Sequence, residues 1–309
     1  MLLVITDVGK RVEIMKSGVK IMSKKMIVYS VILLLLLPAV GLKILNRQGE
    51  KSFQILTEKS LNVFYGESPE TSRTAYESRD WASLPEAVKK YLQRAMPAGG
   101  LRINSVRIRE KGEIKVHEEA SWKPFTAVQY VSVNPPRMVW AGNAEHWPLT
   151  NLGILTTYLA DEGQTSAYLW GLLPAFENRG LEMKAYLMLR WLGEAVWYPT
   201  ALLPSDRISW EAVESKQAEV SKARVRFTDG EMQVSGIFVF MKSNGAPLLF
   251  RVEDGAMPQL SIYRFYCTYS DWTRFGDYQV PRKVTEGLQY GALREDRLKI
   301  TVSELYFEQ

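Results

Sequence analysis

The apolar positions of the chain follow three rhythms, and each predicts a different kind of element. Residues 26–42 carry no Asp, Glu, Lys, Arg or His, so 17 uncharged positions separate Lys25 from Lys43. A helix of that length rises about 26 Å, slightly short of the hydrocarbon core of a bilayer. Lys43 can extend its ammonium toward water and let Ile44 and Leu45 lengthen the span. Residues 26–45 are therefore expected as a transmembrane anchor, with Pro38 tolerable inside a bilayer helix.

The second rhythm is helical. Residues 53–64 predict an amphipathic helix within a mixed segment, 46–82, that reads as a stalk. Ser83-Leu84-Pro85-Glu86 predicts a helix start with Ser83 as cap and Glu86 closing a capping box. Val88, Tyr91, Leu92, Ala95 and Met96 then form one apolar stripe. Residues 181–197 predict a third helix, apolar on most faces and closed by Tyr198-Pro199, which must be enclosed by the rest of the fold.

The third rhythm has a period of two and predicts strands. Val106 and Ile108 alternate with charged residues, as do Ile114 and Val116, and a turn is expected at Lys111-Gly112. Further strands are predicted at 127–133, 137–141, 154–159, 167–172, 223–227, 232–240, 248–252, 261–269, 278–290 and 298–307. Asp161-Glu162-Gly163, Asp229-Gly230 and Asn244-Gly245 supply turns. These elements predict an α+β fold: a curved antiparallel sheet of about ten strands, an open half-barrel wrapped around helices, behind one N-terminal transmembrane helix.

Charge assigns the sides of the membrane. Six basic residues before the apolar run (Lys10, Arg11, Lys16, Lys20, Lys24, Lys25) face two acidic ones (Asp7, Glu13), a net of +4 within a chain total of +5. Residues 1–25 are thus expected as a cytoplasmic tail, and residues 83–309 as an extracytoplasmic domain. Small residues at Ala39-Val40-Gly41 leave a second option, a signal sequence cut after Gly41 with release of the domain. With the basicity so concentrated, the remainder is nearly neutral and has no footprint for nucleic acid.

Candidate chemistry is sparse. The single cysteine, Cys267, lies in an aromatic strand and excludes an intramolecular disulfide or a multi-cysteine metal site. The two histidines, His117 and His146, do not make a metal-binding spacing, and no nucleophile elbow or phosphate loop is present. No catalytic residue, cofactor or metal is predicted. Arg190 and Glu194 stand four apart on one face of the 181–197 helix and predict an ion pair. That pair serves either helix docking or contact with a ligand headgroup. Trp191, Trp197, Tyr198, Trp170 and Trp147 form either ordinary core or the wall of an apolar ligand cavity.

Three stretches carry a family resemblance: Leu189-Arg190-Trp191-Leu192-Gly193-Glu194-Ala195-Val196-Trp197-Tyr198-Pro199-Thr200-Ala201-Leu202-Leu203-Pro204, Leu84-Pro85-Glu86-Ala87-Val88-Lys89-Lys90-Tyr91-Leu92, and Trp122-Lys123-Pro124-Phe125 with Trp140. They resemble an uncharacterised bacterial membrane-anchored family, with Trp191 and Gly193 standing where Tyr and Ala are expected. The resemblance implies a fold like that of the lipoprotein-carrier group, an open half-barrel over an apolar cavity. The functional expectation is non-catalytic binding of an apolar or acylated ligand, a lipid or lipoprotein, beside the membrane. A structural or interaction module of a cell-envelope complex is the alternative, and a hydrolase using Asp161 and Glu162 is the third reading.

Overall fold

Alternation along the strands sorts their side chains onto two faces, and both faces are used. In this computed structural model the described residues are 24–66, 73–77, 81–117, 120–147, 150–252, 264–290 and 293–309. The expectations for residues 1–23, and for the start of the 261–269 strand, fall outside them. The chain divides into two units, residues 1–44 and 45–309. Helix α1 (Lys24–Gly66) contains Pro38, and from Val28 onward it is long and apolar enough to cross a membrane.

The larger unit is built on one antiparallel sheet of thirteen strands. In chain order these are β1 (Ser105–Ile114), β2 (Lys123–Ser132), β3 (Arg137–Trp147), β4 (Thr150–Leu159), β5 (Glu162–Leu169), β6 (Leu173–Arg179), β7 (Ile208–Val213), β8 (Val220–Asp229), β9 (Met232–Met241), β10 (Pro247–Arg251), β11 (Arg264–Phe275), β12 (Tyr278–Tyr290) and β13 (Leu293–Glu308). The spatial order is β6-β5-β4-β3-β2-β1-β13-β12-β11-β10-β9-β8-β7, so the first and last strands pair in the middle. The two edges, β6 and β7, are consecutive in sequence. Helix α3 (Leu181–Glu194) and two 3-10 turns, Ala195–Trp197 and Pro199–Leu202, connect them.

The sheet has more strands than the expected ten or so, and two local readings change. Val106 to Ile114 is one strand and not a hairpin, because Gly112 is a mid-strand residue pairing with Phe125 and Ile300. A Cβ there would lie 1.8 Å from the Lys299 carbonyl oxygen, so this glycine marks a close backbone approach rather than a turn. Strands β6 and β7 escaped notice because neither alternates cleanly: every position of β6 is exposed.

Helix α2 (Glu86–Ala95) begins at Glu86 with Pro85 in the cap position and no side-chain cap bond, so the capping box at Ser83 does not form. The backbone N–H groups of Val88 and Lys89 donate to the Pro85 carbonyl instead. Its stripe is buried as expected, at Val88, Tyr91, Leu92 and Ala95. The helix expected over 181–197 is α-helical to Glu194 and tightens to 3-10 geometry beyond it. Gly193 allows this segment to press onto the sheet: a Cβ there would lie 3.0 Å from Cys267 Sγ, Phe250 and Phe265.

Helices α2 and α3 cover the inner face. The outer face of β2–β5 is covered by the part of α1 within the larger unit, where Phe53 and Phe64 pack with Val139 and Leu155, flanked by Tyr130, Ala141 and Tyr168. Arg137 fastens this contact by donating from Nη1 to the Phe64 carbonyl at 3.1 Å. The helix expected over 53–64 within the 46–82 segment is thus a layer of the folded unit, and Ala75 farther along that segment bridges to Leu101.

Candidate functional site

The inner face is filled at one end and hollow at the other. At the filled end, the residues after Arg190 sit among aromatic rings from β8–β12. Trp191 stacks on Phe227 at 4.8 Å, and Phe238 lies 4.8 Å from Phe250. A helix end leaves carbonyls without intrahelical partners, and burial makes that costly. Aromatic hydroxyls satisfy them here: Tyr198 donates to the Trp191 carbonyl at 2.6 Å and Tyr269 to that of Gly193 at 2.7 Å. Trp197 Nε1 donates to the Pro281 carbonyl at 2.8 Å, and Trp191 Nε1 to that of Ser132 at 3.2 Å.

At the other end, a cavity of about 570 Å³ lies between the N-terminal half of α3 and strands β1, β3–β6 and β11–β13. Ile114, Ile154, Met183, Leu187, Phe265 and Leu298 make its apolar walls, and Thr156 with Thr165 adds a hydroxyl pair at 2.7 Å. Lys115, His117, Glu182 and Arg297 also line it. That volume lies within the usual range for a small-molecule site, and so does the apolar lining with few polar groups.

A buried charge cluster adjoins the cavity. Arg190 Nε donates to Glu194 Oε1 at 2.9 Å and approaches Glu286 Oε2 at 3.3 Å. Gln129 Nε2 donates to Glu194 Oε2 at 2.6 Å, and Trp140 Nε1 to Glu110 Oε2 at 2.8 Å. The Arg190 guanidinium also lies 5.4 Å from the centre of the Trp140 ring. Arg190 and Glu286 are the members of the charged cluster that line the cavity, and Arg190 Nη2 and Glu286 Oε1 are buried without a hydrogen-bond partner.

One guanidinium cannot balance three buried carboxylates. Burial pushes the Glu110 carboxyl up to about 8, with Glu194 adding repulsion against the opposing pull of Arg190 and Trp140. Burial likewise raises Glu286 well above the usual carboxylate range; Arg190 opposes this and Glu194 reinforces it. For Arg190, burial alone would lower the pKa, yet Glu194 and Glu286 hold it well above the ordinary value. Near neutral pH the Glu110 carboxyl near this guanidinium is thus held mostly in the protonated form.

Of the residues singled out from sequence, the structure brings Arg190 and Glu194 together, and Arg190 of the two lines the cavity. Trp191, Trp197 and Tyr198 lie in the filled core, none of them lining this cavity. Trp170 sits in the β5–β6 turn, and Trp147 ends β3 with its side chain outside the described part, as is that of His146 in the same strand. Cys267 is fully buried beside Glu286 on the neighbouring strand, and burial pushes its thiol up. Asp161 and Glu162 are exposed at the β4–β5 turn, where Asp161 pairs with Lys184. Among the described residues, no cluster of His, Cys, Asp or Glu is arranged to hold a metal ion.

Sequence reading missed Glu110, Gln129 and Glu286. Their signal was present: each occupies the inward phase of an alternating strand, after Val106 and Ile108, after Phe125 and Ala127, and after Val284. A charge on the buried phase of a strand is a candidate for a paired interior group.

A family model described as a family of unknown function (DUF6544) matches residues 74–292, well over half of the chain. No curated protein matches the sequence. Among solved structures, the chain is similar to a LolA superfamily protein from Nitrosomonas europaea, at 9% identity and a TM-score of 0.37 over 72% of this chain and 92% of that one. It is also similar to a DUF1329 family protein from Desulfovibrio piger, at 11% identity and a TM-score of 0.38 over 72% of this chain and 90% of that one.

Proposed function

The chain belongs to the DUF6544 family of unknown function, and we propose that it is a membrane-anchored protein that binds an apolar or acylated ligand without chemical conversion. The cavity carries this reading: about 570 Å³ of mainly apolar space left open beside α3 in a sheet otherwise packed with aromatic rings. An acyl chain suits the Ile, Leu, Met and Phe walls, and a polar head suits Arg190 and Glu286 at their base. A module serving only to hold partners together has no use for such a hollow.

The apolar part of α1 fits the same reading, since it would keep the cavity beside a lipid supply. In this reading residues 26–45 span the cell membrane once, the basic N-terminus remains cytoplasmic, and the 83–309 domain lies outside. An intact mass that includes residues 1–41 in membrane-extracted protein supports the anchor; a mass beginning at Leu42 replaces it with a cleaved signal.

The binding test uses the full chain in nanodiscs carrying a diazirine fatty acid. After irradiation and peptide mapping, labels are expected on the segments holding Met183, Tyr186 and Phe265 as well as on residues 26–42. Labelling confined to residues 26–42 overturns the binding reading.

A further inference from the structure

The edge of the sheet at β6 combines features that the ligand cavity alone does not account for. Four large apolar side chains are exposed within ten residues: Leu172, Leu173 (54% exposed), Phe176 (40%) and Leu181 (71%). Soluble surfaces seldom gather apolar groups this closely without something to cover them. Among the described residues strand β6 pairs only with β5, so its other side is an open edge.

Another protein strand is a poor cover for that edge. Pro174 removes a backbone donor, and Glu177 and Arg179 place charges along it, which are the devices by which edge strands resist further pairing. The charges are also mutually compensating, with Arg179 Nε 3.6 Å from Glu177 Oε1. What remains is an apolar surface suited to the headgroup zone of a bilayer, where leucine and phenylalanine side chains enter among the lipids while water and headgroups still satisfy the backbone groups of the edge.

Two observations support a bilayer as the cover. The backbone at Trp170-Gly171, immediately before Leu172, lies against Gly49 of α1: a Cβ on Gly171 would be 2.3 Å from the Gly49 carbonyl oxygen. Gly49 follows Leu42 by seven residues, so chain length alone holds it within about 25 Å of the apolar segment's end. Phe176 is in addition both exposed and part of the cavity wall, which makes the patch continuous with the cavity.

We propose that Leu172, Leu173, Phe176 and Leu181 dock on the bilayer that holds the chain's own anchor and form the portal through which an acyl chain passes from membrane to cavity. This rests on the anchored, ligand-binding reading above and adds the route of entry. Leucines at the interface contribute by burying apolar area among lipid headgroups, and an acyl chain passing Phe176 avoids exposure to water.

The test uses the full chain in nanodiscs with a fluorophore on Leu173→Cys or Leu181→Cys; native Cys267 is fully buried and does not compete for label. Lys216→Cys, at the exposed turn before β8, serves as control. Nitroxide-bearing lipids are expected to quench the labels at 173 and 181 at least about threefold more than at 216, as for side chains at headgroup depth. Equal quenching at all three positions overturns the docking and leaves this edge to a protein partner.

In the double variant Leu173→Glu, Leu181→Glu, cavity labelling by the diazirine fatty acid should approach its final level at least about tenfold more slowly, as charge opposes insertion. Labelling at the original rate overturns the portal while leaving ligand binding intact. Strong quenching at 173 and 181 with no cavity labelling at all supports docking and overturns the binding reading instead.

Discussion

The two ends of the inner face share one sheet, one helix and the same strand alternation, yet one is solid and the other hollow. The size of the inward residues makes the difference. Strands β8 and β9 send in Phe227, Phe238 and Phe240, whereas the parts of β4 and β5 beside the cavity send in Ile154, Thr156 and Thr165. Rings reach across the space beneath α3 and short branched side chains do not, so close packing at one end coexists with a cavity at the other. The filled end fixes the helix; the hollow end is free to accept something else.

Truncation should separate the two ends most sharply. Phe238→Ala removes a fully buried ring from the solid end and should cost about 4 kcal/mol, or roughly 10 °C in the thermal midpoint of the full chain in detergent. Ile154→Ala at the hollow end should cost only about 1–2 kcal/mol, because its neighbours already face open space. Equal losses would mean that the cavity is closed and packed in solution.

Glu194→Ala tests the boundary between the ends. It leaves Arg190 buried against the remaining carboxyls and Gln129 without its carboxylate acceptor, a loss of about 3 kcal/mol. An unchanged midpoint would show that Arg190 and Glu194 are not enclosed as a pair.

A smaller effect is expected from pH. Glu110 and Glu286 have folded-state pKa values above those of the unfolded chain, so the native state binds protons more tightly. The Glu110 contribution is complete below its unfolded value of about 4.5 and falls away as pH rises toward about 8, and Glu286 acts in the same direction. The thermal midpoint should therefore decline between about pH 5 and pH 8, and Glu110→Gln, which keeps an acceptor for Trp140, should flatten the decline. A midpoint that rises across this window overturns the assignment of buried protonated carboxyls.

Strong local periodicities made much of the fold legible. The apolar run at 26–42, the stripe of α2 and the Asp-Gly and Asn-Gly turns each depend on neighbours a few residues away, and the structure has a helix, a helix and hairpins at those places. Gly112 shows where local reasoning stops. A glycine at a turn and a glycine under a crossing backbone look alike in sequence, and only the Lys299 carbonyl distinguishes them. The site divides in the same way. Arg190 and Glu194 were visible as a helical pair, whereas Glu110, Gln129 and Glu286 lie on strands distant in the chain from α3 and reach that pair only through the sheet's order.

The sequence by itself determined that the chain holds an apolar segment able to span a bilayer, a nearly neutral remainder and an antiparallel sheet enclosing an apolar helix. Those properties follow from composition, charge and spacing, which are local. Only the tertiary structure decided which aromatic residues fill the core, which carboxyls share Arg190, and that the space beside the first half of α3 stays open. These are matters of volume and distance between residues brought together by pairing β1 with β13, and no pattern along the chain encodes the space left over.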